Sequence, residues 1–171
     1  MSAGPFYGKY RGAVRNNIDP EMLGRLQVEV PDVGGNMLMS WAMPCLPVGG
    51  INMGIFTVPP VGAGVWIEFE RGDPDYPIWT GCFWGIAAEK PLMSNLVPPG
   101  ISGITLQTQG KTGIVLSDLP GPTGGILLQC ATGATISISD LGILISNGKG
   151  ATISMVSGPM IDVNAGALQV T

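Results

Sequence analysis

Histidine is absent from all 171 residues. Its absence removes His-based triads, His metal sites and imidazole proton shuttles together. Charge is scarce: 12% of side chains carry it, the net balance is −4, and no basic stripe is present to hold a nucleic-acid backbone. Cysteine is limited to Cys45, Cys82 and Cys130, scattered and odd in number, which fits neither a disulfide framework nor a zinc-ligand spacing. Long apolar runs are missing too. Mean hydropathy is +0.35, yet Gly, Pro, Asn, Ser or Thr interrupts every stretch short of the roughly 18 residues of a membrane span. The opening MSAGPFYGKYRG lacks the apolar core of a signal peptide. The apolar surplus is therefore expected in a subunit interface rather than in lipid.

Glycine and proline are abundant, 27 and 15 residues, and predict short strands, many turns and little helix. The strongest local pattern is VWIEFERGDPDYPIWTGCFWG, residues 65–85. Val65, Ile67 and Phe69 alternate with Trp66, Glu68 and Glu70, the period of two that sets one strand face on a core. Gly72 to Pro77 breaks the pattern as a tight turn, and Ile78 to Phe83 resumes extended. Upstream, the sequence predicts strands over Tyr7–Val14, Gly24–Val30 and Leu38–Met43, with a long loop over 46–64. Five strands in about 85 residues suit a small closed barrel of OB type.

Charge is uneven along the chain. Residues 101–171 hold five charged side chains of twenty: Lys111, Asp118, Asp140, Lys149 and Asp162. Pro91 to Gly100 lies between the two regimes and reads as a linker. The charge-poor part repeats itself: residues 124–140 and 141–157 align without gaps, sharing Gly-Ile-Leu at 125–127 and 142–144 and Gly-Ala-Thr-Ile-Ser at 133–137 and 150–154. Apolar-x-apolar triplets bounded by turn residues, about ten residues apart, predict narrow strands stacked along an axis, a β-solenoid or β-prism. Each unit has only two or three aliphatic side chains to set against the entropy of ordering its backbone. Copies of the chain around a common axis would cover that face, so the sequence predicts an oligomer.

Candidate chemistry is sparse. Asp73 and Asp75 form a carboxylate pair on paper, but in GDPDYP they read as turn residues. Asp118 and Asp140 each follow a serine and read as strand-ending turns, and Glu68 and Glu70 as solvated. Trp66, Trp79, Phe83 and Trp84 could stack bases in an OB groove, but no positive groove accompanies them. The glycine-rich 121–125 lacks the Lys-Ser/Thr ending of a phosphate loop. No nucleophile has a paired base. The expectation is a non-enzyme with no cofactor, no metal site and no nucleic-acid partner.

The hairpin also carries a resemblance. Phe69, Gly72, Asp73, Pro74, Pro77, Ile78 and Gly81, at their spacing, resemble the end of the OB-type domain in spike proteins of contractile injection machines, the baseplate spikes of contractile-tailed phages and the valine-glycine-repeat spikes of type VI secretion. Gly12, Val14, Asp19-Pro20, Gly24-Arg25-Leu26, Val28, Pro31, Trp41-Ala42 and Pro60-Val61-Gly62 are similar to the same family in order.

The resemblance implies an all-β chain: an OB domain at 1–90, a linker at 91–100 and a trimeric β-prism at 101–171. The trimer core expected from the triplets is Ile104, Leu106, Ile114, Leu116, Ile126, Leu128, Ile136, Ile138, Ile143, Ile145, Ile153, Met155, Ile161 and Val163. A small tip protein of the PAAR kind is expected on Leu168, Gln169, Val170 and Thr171. Further implied partners are a hub or baseplate protein, the inner tube and, transiently, the target membrane. Assembly is expected in the cytoplasm, into a phage tail-like particle. No lysozyme-like insert follows the barrel, so cell-wall hydrolysis is not implied. The alternative from another class is an OB-type binding module for single-stranded nucleic acid or glycan.

Overall fold

The computed structural model describes residues 5–156 and 158–170, and the chain divides between Glu89 and Lys90 into two compact units. In the first, β1 (Tyr10–Asn16), β2 (Gln27–Glu29), β3 (Met43–Pro44), β6 (Gly64–Phe69) and β7 (Pro77–Phe83) form one sheet in the order β2-β1-β6-β7-β3. A two-residue pair, β4 (Gly49–Gly50) and β5 (Met53–Gly54), stands apart from it. The alternation of β6 does what its pattern predicts: Val65, Ile67 and Phe69 enter a core with Val14, Leu26, Val28, Val30, Ala42 and Trp79. The indole N–H of Trp79 donates to the Gly24 carbonyl at 3.1 Å, which removes the one polar liability of that buried ring.

The curl of this sheet is drawn together by single bridges rather than by a full strand. Leu26 pairs with Ala42 and Glu29 with Leu38, so the segment entering β3 also reaches the far edge at β2. The third strand expected over Leu38–Met43 is therefore shorter and divided. Its regular part is Met43–Pro44, parallel to β7, with the Cys45 N–H donating to the Trp79 carbonyl at 2.9 Å. Likewise β1 begins at Tyr10 rather than Tyr7, and the expected loop at 46–64 contains the β4–β5 hairpin.

The second unit is an antiparallel meander in chain order. Its strands are β8 (Gly103–Gln107), β9 (Gly113–Ser117), β10 (Gly125–Gln129), β11 (Thr135–Ser139), β12 (Gly142–Ser146), β13 (Thr152–Met155), β14 (Ile161–Val163) and β15 (Leu168–Val170). The 17-residue repeat maps onto two consecutive hairpins, β10–β11 and β12–β13. Part of the stretch read as a linker is packed. A 3-10 turn at Leu92–Leu96 buries Met93, whose backbone N–H donates to Gln107 Oε1 at 2.8 Å.

Candidate assembly surface

Antiparallel register decides which side chains of the meander share a face. All fourteen apolar residues picked from the sequence lie on one face, in two columns. One column runs Ile104, Leu116, Ile126, Ile138, Ile143, Met155 and Ile161. The other runs Leu106, Ile114, Leu128, Ile136, Ile145, Ile153 and Val163. No polar residue interrupts either. Eleven of the fourteen are exposed in the single chain, between 37% and 63% of their surface. The central line of the opposite face is mixed: Thr105, Val115, Leu127, Ser137, Leu144, Ser154 and Asp162.

Among the described residues, the segment that folds back over the sheet lies on the mixed face. A Cβ built on Gly113 would lie 2.7 Å from Met93 Sδ, and one on Gly103 would lie 2.7 Å from a Val97 methyl carbon. Gly103 and Gly113 share the face of Thr105 and Val115, so the two apolar columns stay bare. An uninterrupted apolar face of this kind marks a surface that another chain covers. Each aliphatic side chain fully buried there contributes roughly 1.5–3 kcal/mol.

The columns extend one rung beyond the residues assigned to them. Leu168 pairs with Val163 and Val170 with Ile161, so β15 continues the same register. The period of two in Leu168-Gln169-Val170 could have signalled this from the sequence. Thr171 lies outside the described residues, as do the side chains of Gln169 and Val170.

In the barrel unit, the GDPDYP residues shape a turn. Asp73 Oδ1 accepts from the Asp75 N–H at 3.0 Å, and the Tyr76 N–H donates to the Asp73 carbonyl at 3.1 Å. Phe69 and Pro77 are buried at the two strand ends. Gly72 lies beneath the N-terminal segment, where the Phe6 N–H donates to its carbonyl at 2.8 Å. Pro74 sits in the turn, and Gly81 follows a bulge at which Trp66 faces Gly81 and Ile67 faces Trp79. Two of the four aromatic rings weighed as base-stacking surfaces are partly occupied: the Arg11 guanidinium lies 5.3 Å from the Trp66 ring and 5.0 Å from that of Phe83.

Asp19 is the most heavily bonded side chain of the unit, a role its place in the Asp-Pro motif does not announce. Its carboxylate accepts from the N–H groups of Glu21, Leu23 and Arg25 at 3.0, 2.9 and 3.2 Å. It also accepts from Arg25 Nε and Nη2 at 3.1 and 2.7 Å. Arg25 in turn lies over Trp41, 5.6 Å from its ring centre. The Arg25 guanidinium first, and the backbone N–H groups with it, hold this carboxyl well below the usual carboxylate range, against burial, which pulls the other way. A carboxyl depressed on folding stabilises the fold fully above its unfolded value of 3.8, and that stabilisation is lost as pH falls below it. The barrel's tryptophan-monitored melting point should therefore drop between about pH 5 and about pH 2, and Asp19→Asn should flatten that slope while lowering stability at neutral pH. An unchanged slope in the variant would assign the acid sensitivity elsewhere.

Two family models match the chain. Residues 10–84 match the type VI secretion system/phage-baseplate injector OB domain, and residues 103–169 match the phage baseplate V C-terminal trimerisation domain. Together they cover most of the chain, in the order in which the two structural units occur. No curated protein matches it.

Proposed function

The chain belongs to the injector spikes of phage baseplates and type VI secretion systems, and from that membership we propose that it helps puncture the target envelope and carries a tip protein at its far end. Its two domains are structural baseplate domains, and the second makes it a homotrimer. The observation that carries the reading is the pair of bare apolar columns. Three copies turning that face to a common axis would bury every column residue and leave the mixed faces outward. The fourteen column residues would form the trimer core. A prism closed in this way is stiff, and stiffness is what a spike driven by an external contraction requires. The barrel would seat on the hub and inner tube, with assembly in the cytoplasm and only passing contact with the target membrane.

Tip binding is proposed at Leu168 to Thr171. Among the described residues β15 pairs with β14 alone, so its outer edge offers unpaired backbone groups, and Leu168 is 58% exposed beside them. A partner of matching three-fold shape would satisfy both the edge and the apolar side chains. Deleting residues 168–171 should abolish capture of a PAAR-like tip protein from the same source while leaving the trimer, because seven of the eight strands remain. Normal capture by the truncated trimer would overturn tip docking at this site.

A further inference from the structure

Four of the five charges in residues 101–171 are sorted by edge. The turns 108–112 and 147–151, which join β8 to β9 and β12 to β13, lie along one edge of the sheet and carry Lys111 and Lys149. The turns 118–124 and 140–141, which join β9 to β10 and β11 to β12, lie along the other and carry Asp118 and Asp140. Asp162 sits mid-strand. All four turn residues are exposed, and none forms an ion pair within its own chain among the described residues. They could not pair there, since a five-residue strand separates the edges by roughly 17 Å.

We propose that the lysine edge of each chain docks on the aspartate edge of the next, forming the corners of the trimer. This presupposes the homotrimer above and adds how its chains recognise each other. In a closed ring of three copies related by rotation, the left edge of every sheet meets the right edge of its neighbour, so the contact is heterologous. The heights along the axis agree. Lys111 lies between the first and second strands and Asp118 between the second and third. Asp140 lies between the fourth and fifth, and Lys149 between the fifth and sixth. Each lysine is one strand spacing, about 4.8 Å, from an aspartate across the corner, within the reach of its flexible stem. One aspartate is already fixed for this role: Asp140 Oδ2 accepts from the Gly121 N–H at 2.7 Å, which holds its carboxylate on the edge.

The apolar columns favour closure but define register weakly, because one aliphatic rung resembles the next. A shift of one chain by two rungs would still bury isoleucine against isoleucine. It would, however, leave only one lysine at each displaced corner a single strand spacing from an aspartate and carry the other three spacings away, so each such corner loses one of its two pairs. The sparse charges thus select the aligned trimer among near-equivalent packings.

The test is a pair of double-mutant cycles on the full chain, read by trimer melting at low salt with native mass followed in parallel. Lys111→Glu alone and Asp118→Lys alone should each lower the melting point, and the two together should regain it. Adding about 0.5 M salt should shrink all these differences. The second cycle, Lys149→Gln with Asp140→Asn, keeps an acceptor for Gly121 and should likewise show coupling. Strictly additive effects in both cycles, with the native mass still trimeric, would overturn edge pairing and leave the trimer standing. A native chain of monomeric mass would instead remove the trimer, and edge pairing with it.

Discussion

Replacing Ile136 and Ile153 together with aspartate should leave no trimer. The two residues belong to the same column, on β11 and β13, with Ile145 between them. Three copies of the double variant would place six carboxylates on the shared axis, and a buried charge without a partner costs several kcal/mol even after relaxation. No arrangement of the remaining aliphatic rungs offsets that. The matched control is one residue along: Ser137→Asp with Ser154→Asp adds the same charge to the mixed face and should leave both assembly and melting near the native values. Sedimentation that still shows a trimer for the isoleucine variant, with unchanged melting, would mean that this face points to solvent.

The second large effect is expected at a glycine. Gly142 opens β12 at φ +133°, and a Cβ there would stand 2.0 Å from the Met155 carbonyl oxygen. Gly125, its equivalent in the repeat, opens β10 at φ +82°, 2.1 Å from the Ile138 oxygen by the same construction. Each glycine lets the chain leave a tight turn directly beneath the neighbouring strand's backbone. Gly142→Ala adds backbone strain of roughly 1–3 kcal/mol and forces β12 and β13 apart, three times over in the assembly. Gly133→Ala separates the two causes, because its φ is +90° but its nearest neighbour would be 3.9 Å away. Melting should fall much further for Gly142→Ala than for Gly133→Ala. Equal falls would attribute the whole effect to φ and none to the close approach.

Much of this was legible because it is periodic. Alternation alone places Val65, Ile67 and Phe69 inside, and the ungapped repeat, with strict apolar-x-apolar spacing, brings fourteen residues to one face. The less legible parts depend on partners far away in sequence. Leu38–Met43 carries a strand-like pattern, yet its few bridges go to Leu26 and Glu29, and its regular pairing with β7 covers only Met43 and Pro44. The 91–100 segment has the punctuation of a linker, but Met93 finds a site over Gly113 that nothing local to Met93 encodes. Asp19 reads as the first residue of an Asp-Pro turn. That its carboxylate gathers five donors from the next six residues follows only once the loop closes on Arg25.

Native mass by light scattering on the purified full-length chain tests the trimeric spike most directly. The bare apolar columns and the trimerisation domain predict a single species of three times the 17.7 kDa chain mass, unchanged on dilution. A species of 17.7 kDa that stays folded and soluble would contradict it, since the two columns would then be standing in water.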